Sequence, residues 1–211
     1  MPVNSPRTLR TQQVQQTRQR IIDAAEALFL SRGYAASTLQ AVATEAGVAV
    51  ETVYSRFRNK TNLLSAILEK GLIGTEPNRD ILEQPEIDEI RGSSDLYAKL
   101  RLLAAFSRGI LERSDVAHRI LRSAAAVESA AAQLQQRDNM RRVEGQRVYI
   151  ELLLATGPLR QGLTSEEAAD TYSALASPET FLFLVGDRGW TADRFELWLA
   201  GTLTRILLPP L

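Results

Sequence analysis

The stretch TRQRIIDAAEALFLSRGYAASTLQAVATEAGVAVETVYSRFRNKTNLLSAIL, residues 17–68, contains the pattern that decides the fold. Apolar side chains recur at helical spacing through its first part, which predicts a helix over 17–32. Gly33 follows the last turn of this helix, where a left-handed residue is favoured. The stretch therefore begins with an amphipathic helix of about four turns.

Three shorter helices are predicted after this one. Ser37 and Gln40 have the S-x-x-Q spacing of a capping box, which predicts a second helix that runs to Gly47. A third helix follows over 48–57. Asn59 is the expected N-cap of a fourth helix, which ends near residue 74.

The second and third helices satisfy the constraints of a helix-turn-helix. Ala43 is small where the two helices cross, and Gly47 supplies the positive φ of a tight turn. Val53 packs the third helix back on the second. On these three positions alone, an ordinary αα-hairpin fits the pattern equally well.

The charge distribution favours a polyanion partner for this end of the chain. The formal net charge of the whole chain is zero, with 25 basic and 25 acidic residues. Residues 1–60 hold eight Lys/Arg against four Asp/Glu, a local balance of +4. A basic end on a neutral protein is typical of a domain that binds duplex DNA.

Four motifs give residues 17–68 a specific resemblance. They are A-x-x-L-F in the first helix, R-G-Y after it, A-x-x-A-G-V at the hinge, and T-x-Y-x-x-F-x-x-K across the third and fourth helices. The stretch resembles the DNA-binding domain of the tetracycline-repressor (TetR) family of bacterial transcriptional regulators. The resemblance implies a homodimer whose third helix enters the major groove and whose larger helical C-terminal domain binds an effector.

The resemblance also implies two sets of DNA contacts. The side chains expected at phosphates are Thr38, Thr52, Tyr54 and Lys60. Those able to face base edges are Gln40, Val50, Glu51, Ser55 and Arg56. Hydroxyl and ammonium groups suit phosphate oxygens, and Gln or Arg can pair bidentately with a purine. Two alternatives stay open, because Gln40 could only close its capping box and Tyr54 could be a half-buried hydrophobic residue.

One position departs from the family pattern. Ala49 stands where a capping Ser is usual, which forgoes a cap worth roughly 0.5 to 2 kcal/mol. Glu51 in the first turn offsets part of this loss through the helix dipole. A carboxylate that faces DNA must accept from a cytosine amino group or turn aside.

We divide the chain into three parts. Residues 1–16 are polar and mildly basic, which predicts a mobile arm. Residues 17–60 form the helix-turn-helix domain, and 61–211 form a helical domain for effector binding and dimerisation. Within the latter, the acidic, Pro-containing segment 75–93 is expected to be a mobile connector.

No strand-like alternation occurs in the sequence, so we predict an all-α fold. Thr164 and Glu167 form a second capping box, which opens a helix through Ala176. Pro178 restarts the chain as the first residue of another helical turn. The remaining helices are predicted over 94–113, 115–135, 138–155 and 191–208.

An effector pocket is expected among the helices of the C-terminal domain, with the fourth helix connecting it to the DNA-binding domain. Polar residues interrupt the apolar stripes there, which favours a small hydrophobic or aromatic ligand with polar anchors, although surface exposure is the alternative for each polar residue. The candidate lining residues are Leu68, Leu103, Phe106, Ser107, Arg122, Asn139, Tyr149 and Leu152.

The last helices are the expected dimer interface. Their apolar faces exceed what one small domain can bury, which indicates a two-fold partner and a near-palindromic operator. The candidate interface residues are Phe181, Phe183, Phe195, Trp198, Leu199, Leu203 and Ile206.

Composition disfavours several other functions. The chain has no Cys and one His, His118, so we expect no metal, no cofactor and no catalytic residues. No apolar stretch is long enough to cross a bilayer, and a cytoplasmic protein without a membrane partner is expected. The alternative function is a helix-turn-helix regulator controlled by a protein partner or by abundance, without a small-molecule ligand.

Overall fold

The computed structural model describes residues 6–73 and 81–210, and these residues are helical apart from short connections. No strand occurs among them, so the all-α prediction is confirmed. A short 3-10 helix, Ile81–Glu83, and a π-helical segment, Leu182–Asp187, accompany the α-helices. The α-helices are α1 (Pro6–Arg32), α2 (Leu39–Ala46), α3 (Val50–Phe57), α4 (Lys60–Ile73), α5 (Pro85–Gly92), α6 (Leu96–Ala125), α7 (Ser129–Leu154), α8 (Ser165–Leu175), α9 (Pro178–Phe181) and α10 (Ala192–Leu207).

The chain divides into two compact units. The first unit contains Met1–Glu69 and Val116–Gln135, and the second contains Lys70–Asp115 and Gln136–Leu211. Residues 61–69 and 116–135 thus lie in the same unit as the helix-turn-helix. The sequence had assigned both segments to the C-terminal domain, because a helical period does not reveal which neighbour a helix packs against.

The first unit has its own apolar core. Ile21, Ile22 and Ala25 of α1 are completely buried, as are Val42 and Val53 of the two helices that follow. Members of α4 and of the segment 116–135 complete this core: Leu63, Leu64, Ile67, Leu68, Ala117, Ile120, Leu121, Ala124, Ala131 and Leu134. The predicted apolar faces of the first four helices therefore meet in one core.

The second unit has a separate core with an aromatic centre. The ring of Tyr149 makes edge contacts with those of Phe106 and Tyr172, at centroid distances of 6.0 and 5.5 Å. Phe181 makes a similar contact with Phe195 at 5.0 Å. These rings join α6, α7, α8, α9 and α10 around one buried centre.

The expectation of a mobile arm over 1–16 is wrong for residues 6–16. Helix α1 begins at Pro6 and continues without interruption to Arg32. Gln and Arg are good helix formers, and Pro is tolerated in the first turn, so the polar extension can propagate from the buried part of α1. Residues 1–5 lie outside the described part of the chain.

The connector expected over 75–93 also contains helix. Residues 75–80 lie outside the described ranges, but α5 occupies Pro85–Gly92 with Pro85 at its start. Ile87 and Ile90, three positions apart, are buried in the core of the second unit. The two buried apolar residues on one face stabilise this helix. The acidic, Pro-containing composition of the segment did not indicate it.

Two helix boundaries in the middle of the chain differ from prediction. The break expected near residue 114 is absent, since α6 continues to Ala125 and the Ser114 hydroxyl donates to the carbonyl of Ile110 within the helix. The chain turns instead at Val127 and Glu128, whose amides both donate to the carbonyl of Ala124. Helix α7 then begins at Ser129, nine residues before the predicted start.

The start of the C-terminal region follows the sequence prediction closely. Thr164 and Glu167 form the expected capping box at α8, and Pro178 opens α9 after the N-cap Ser177. The segment that follows is π-helical, with the Arg188 amide donating to the carbonyl of Phe183.

The predicted dimer face is wrong for four of its seven residues. Phe181, Phe195, Leu199 and Leu203 are buried within the chain itself. Helices of the second unit itself cover these residues. Apolar periodicity indicates that a helix face is buried, but not whether the same chain or a partner buries it. Phe183 and Ile206 are exposed and Trp198 is half-buried, so these three side chains can still contact a second copy of the chain.

Candidate nucleic-acid interface

Thr38, rather than Ser37, starts α2. The Thr38 hydroxyl accepts from the Ala41 amide at 3.1 Å, which is the N-cap interaction. Ser37 is buried and donates to the carbonyl oxygens of Gly33 and Leu28. The predicted Ser37–Gln40 capping box is therefore wrong, because the hydroxyl one residue later satisfies the helix end. Exposed Gln40 is not needed to cap the helix.

The turn between α2 and α3 has the predicted glycine geometry. Gly47 has φ +63° in the left-handed region, and its amide donates to the carbonyl of Thr44. Arg20 of α1 donates to the carbonyl oxygens of Ala46 and Gly47. These contacts satisfy carbonyl groups at the end of α2, so α1 holds the turn from one side.

Helix α3 has one buried face and one exposed face. Val53 and Phe57 are buried, and half-buried Val50 packs against the same core. The exposed face carries Glu51, Tyr54, Ser55 and Arg56, while Thr52 is half-buried. Most of the residues predicted to contact DNA thus lie together on the surface, and Val50 is the member most engaged in packing.

Helix α3 lacks a side-chain cap at its N-terminus and ends in an irregular backbone conformation. Ala49 makes no side-chain capping hydrogen bond, as the sequence indicated. The Ser55 hydroxyl donates to the carbonyl of Thr52. After Phe57, Arg58 takes φ +63°, and the Asn59 side chain accepts from the Asn62 amide at 2.8 Å as the predicted N-cap of α4.

Lys60 makes several contacts within its own chain that the sequence did not predict. Its Nζ donates to the Tyr34 carbonyl at 2.9 Å and lies 3.3 Å from the Glu128 carboxylate. It also lies 4.1 Å from the centroid of the Tyr34 ring. Burial raises the pKa of Tyr34, and the nearby Glu128 carboxylate raises it further. No sequence signal linked Glu128 to this position, since it lies 68 residues further along the chain.

The residues predicted to line an effector pocket do not all lie in one unit. Leu68 and Arg122 belong to the first unit, where Leu68 is core and Arg122 is exposed. They are therefore not part of a site within the second unit. The others belong to the second unit: Leu103, Phe106, Ser107, Asn139, Tyr149 and Leu152.

The polar groups of the second core include several that the sequence did not single out. Tyr172 donates to the carbonyl of Leu103 and lies 2.7 Å from the Ser107 hydroxyl. Arg142 Nη1 donates to the Ser173 carbonyl at 2.8 Å, and burial lowers the pKa of Arg142. Among the described residues, no hydrogen-bond partner is found for Arg142 Nε or for the Ser173 hydroxyl. Buried Lys99 donates to the Leu152 carbonyl and to Thr156.

Within the described ranges, 6–73 and 81–210, no three His, Cys, Asp or Glu side chains are grouped so as to hold a metal ion. In the same residues, no helix combines the length and apolar character required to cross a bilayer.

Fold and interface together define a helical protein with an N-terminal helix-turn-helix. Residues 21–67 match the family model described as bacterial regulatory proteins, tetR family. Over 73 residues the chain is 40% identical to the uncharacterized HTH-type transcriptional regulator YvkB of Bacillus subtilis, a match that covers 34% of this chain and 36% of YvkB. Over 58 residues it is 43% identical to the HTH-type transcriptional regulator TtgR of Pseudomonas putida, covering 28% of each protein.

A solved structure extends the likeness beyond the N-terminal region. NalD, described as the secondary repressor of the MexAB-OprM multidrug efflux pump in Pseudomonas aeruginosa, superposes with a TM-score of 0.66. The superposition covers 93% of this chain and 98% of NalD, at 25% sequence identity. Residues 21–67 thus match the tetR family of bacterial regulatory proteins, the chain spans about a third of the length of the curated relatives it matches, and the likeness to NalD extends over most of the chain.

Proposed function

We propose that this protein is a transcriptional regulator that binds duplex DNA through α3. The observation that carries the proposal is the division of α3 into a buried face, Val53 and Phe57, and an exposed polar face. A helix anchored in this way can enter the major groove without disturbing its own core. The tetR-family match over residues 21–67 supports the same function.

Two kinds of DNA contact follow from the side chains present. Thr38, Thr52 and Tyr54 offer hydroxyl groups to phosphate oxygens, and Lys60 offers an ammonium. Arg56 and Gln40 are exposed and can pair bidentately with guanine and adenine. Glu51 and Ser55 are exposed on α3 and contribute to base recognition, whereas Val50 contributes apolar contact at most.

The test begins with selection of duplexes from a random library by the purified protein, followed by sequencing and titration. We expect a single enriched motif, bound more tightly than random DNA by a factor of about 10³ or more. Arg56→Ala should relax specificity at one base pair by roughly 1 to 3 kcal/mol. Arg122→Ala, which removes the same charge from an exposed site on α6, is the matched control. Failure to enrich any motif contradicts the function.

The proposed active form is a homodimer that reads a near-palindrome. Exposed apolar side chains of the C-terminal segment support it, namely Phe183, Leu197 and Ile206. Two-fold pairing would present two α3 helices to successive major grooves, about 34 to 36 Å apart. The enriched motif should therefore contain two inverted half-sites separated by one helical turn.

We further propose that the regulator is a repressor released from its operator by a small hydrophobic or aromatic effector. The aromatic core around Phe106 and Tyr149 supports an apolar ligand, and the buried Arg142 Nε and Ser173 hydroxyl support polar anchors. Unsatisfied buried polar groups are costly, and a ligand that pairs with them would recover this free energy. NalD, to which this chain is structurally similar, is described as a repressor, which supports repression rather than activation.

Control by a protein partner or by abundance is the second candidate. The Ser107–Tyr172 pair favours it, because these core hydroxyls already satisfy each other. A thermal-shift screen of apolar compounds, followed by operator titration, separates the two. A compound that raises the melting temperature and weakens DNA binding supports the effector, since only unequal affinity for the two states can shift an equilibrium. A compound that stabilises the protein without changing DNA affinity contradicts the coupling.

A further inference from the structure

The ammonium of Lys60 lies between two oxygen acceptors of the first unit. It donates to the Tyr34 carbonyl at 2.9 Å and lies 3.3 Å from Glu128 Oε1. The Tyr34 ring covers it at 4.1 Å from the centroid, and only 19% of the Lys60 side chain is exposed. The charge that the proposed function assigns to a DNA phosphate is thus already paired in this structure.

Glu128 is fixed where it can hold this pair. Its carbonyl oxygen accepts from the amides of Ala131 and Ala132 in the first turn of α7, which anchors its backbone. Its side chain remains 38% exposed, so the carboxylate can leave Lys60 without losing access to water. The pair is therefore breakable, as partly exposed ion pairs contribute little to stability.

A phosphate that bound Lys60 would come close to Glu128, whose carboxylate lies 3.3 Å from the Lys60 ammonium. Carboxylate and phosphate are both anionic acceptors for the same ammonium, and they repel each other at close range. The Tyr34 carbonyl is neutral and does not raise this conflict. Only one of the two acceptors thus opposes a phosphate contact.

We propose that Glu128 is a positioning residue that acts through Lys60 and restrains DNA affinity by competing with a backbone phosphate for the Lys60 ammonium. This inference rests on the proposed function, because it assigns a regulatory role to one contact of that DNA-binding site. Loss of the Glu128 charge leaves the phosphate as the only anionic acceptor for the ammonium, beside the neutral Tyr34 carbonyl. DNA binding then becomes tighter and more dependent on salt.

The experiment titrates the wild type and Glu128→Gln with the duplex that the wild type selects, from about 50 to 200 mM salt. We expect the variant to bind about two- to tenfold more tightly at the lower salt concentration. The slope of log affinity against log salt should steepen by up to about 0.9, the contribution of one full phosphate contact. A structural role alone would not change this slope.

Glu69→Gln is the matched control for charge. Glu69 lies in the same unit and pairs with Arg18 at 3.8 Å, so this variant removes one negative charge without touching Lys60. Its affinity and slope should stay near those of the wild type. An equal gain in Glu69→Gln and Glu128→Gln overturns the proposal, because net charge would then explain both.

A double-mutant cycle with Lys60→Gln tests whether Glu128 acts through Lys60. In the Lys60→Gln background, the Glu128→Gln substitution should no longer tighten binding or steepen the slope. A gain that persists there overturns the proposal. Glu128→Ser is a second variant that keeps a residue favoured at helix N-termini, so folding of α7 does not decide the result.

The outcomes separate this inference from the proposed function. If the wild type selects no duplex, the proposed function fails, and this inference fails with it. If the wild type binds its selected duplex and Glu128→Gln binds with the same affinity and slope, only the competition by Glu128 is overturned.

Discussion

The Nη2 atom of Arg20 lies 3.4 Å from the carbonyl oxygen of Gly47, so a side chain of α1 contacts the turn that separates α2 and α3. The same guanidinium donates to the carbonyl of Ala46. A Cβ atom at Gly47 would lie 2.9 Å from Nη2. The left-handed φ therefore favours glycine at this turn, and a larger residue would also displace the end of the Arg20 side chain.

We predict that Gly47→Ala lowers the free energy of unfolding by about 1 to 2 kcal/mol, the cost of an L-residue in the left-handed region, with some further loss if Arg20 is displaced. Gly145→Ala is the matched control, since Gly145 lies within α7 and its Cβ would have no neighbour within 4 Å. That variant should instead stabilise the protein by roughly 0.5 to 1 kcal/mol. Denaturant unfolding measures both, and equal effects would contradict the assignment.

The helix-turn-helix could be predicted from sequence because each of its constraints is local. Ala43, Gly47 and Val53 lie within eleven positions, and their sizes determine how two short helices cross. Lys60 shows where such reasoning ends. Its type and position suggested a free phosphate contact, but its partner Glu128 is far away in sequence and only the fold brings the two together.

Alkaline conditions should destabilise the protein through Tyr149. Burial raises the pKa of Tyr149 above its ordinary value near 10. Above pH 10, the unfolded chain releases the phenolic proton while the folded chain keeps it, so the free energy of unfolding falls as pH rises. Tyr149→Phe should make this decline shallower by up to about 1.4 kcal/mol per pH unit, a limit that is approached about one pH unit above the unfolded pKa.

Denaturant unfolding of the wild type and Tyr149→Phe between pH 9 and 11 tests this prediction. Tyr172→Phe provides a second comparison, because burial also raises the pKa of Tyr172. That variant additionally loses the hydrogen bond to the Leu103 carbonyl, so it should be less stable than the wild type at pH 7. A slope in Tyr149→Phe that equals the wild-type slope would rule out the proposed titration.

The capping box of α8 should contribute to stability in a manner that depends on acid pH. Hydrogen bonds from the Thr164 amide and hydroxyl hold the pKa of Glu167 below its usual value. A carboxylate with a lowered pKa stabilises the folded state above its unfolded pKa, and this contribution disappears as pH falls through the folded pKa. Thr164→Ala should cost about 0.5 to 2 kcal/mol at pH 7 and less in acid.

Thr191→Ala is the matched control for this prediction. Thr191 caps α10 by accepting from the Arg194 amide at 3.1 Å, and the third helical position there holds an arginine rather than a glutamate. Both variants should lose stability at pH 7, but only the loss in Thr164→Ala should shrink towards low pH. Parallel pH profiles for the two variants would show that Glu167 takes no part.

The C-terminal helices show what apolar periodicity leaves open. Phe195, Leu199 and Leu203 form one stripe of α10, and the second unit covers this stripe with residues such as Phe181. The sequence indicated a face that must be buried, but burial by the same chain and burial by a partner produce the same pattern. Only the side chains left exposed after folding can serve a second copy.

Leu197 is the best position at which to test the proposed homodimer, because it is 75% exposed on α10. Trp198 is less suitable, since its ring contacts Phe195 and Trp190 within the chain and its loss would disturb the core. Leu197→Glu should place a charge in the interface without altering the fold. We expect a shift from dimer to monomer in sedimentation velocity, together with weaker operator binding.

Met140→Glu, at a residue 66% exposed on α7, is the matched control and should remain dimeric. A wild-type protein that sediments as a monomer at micromolar concentration would refute the dimer, and a dimeric Leu197→Glu would exclude this face of α10 as its interface.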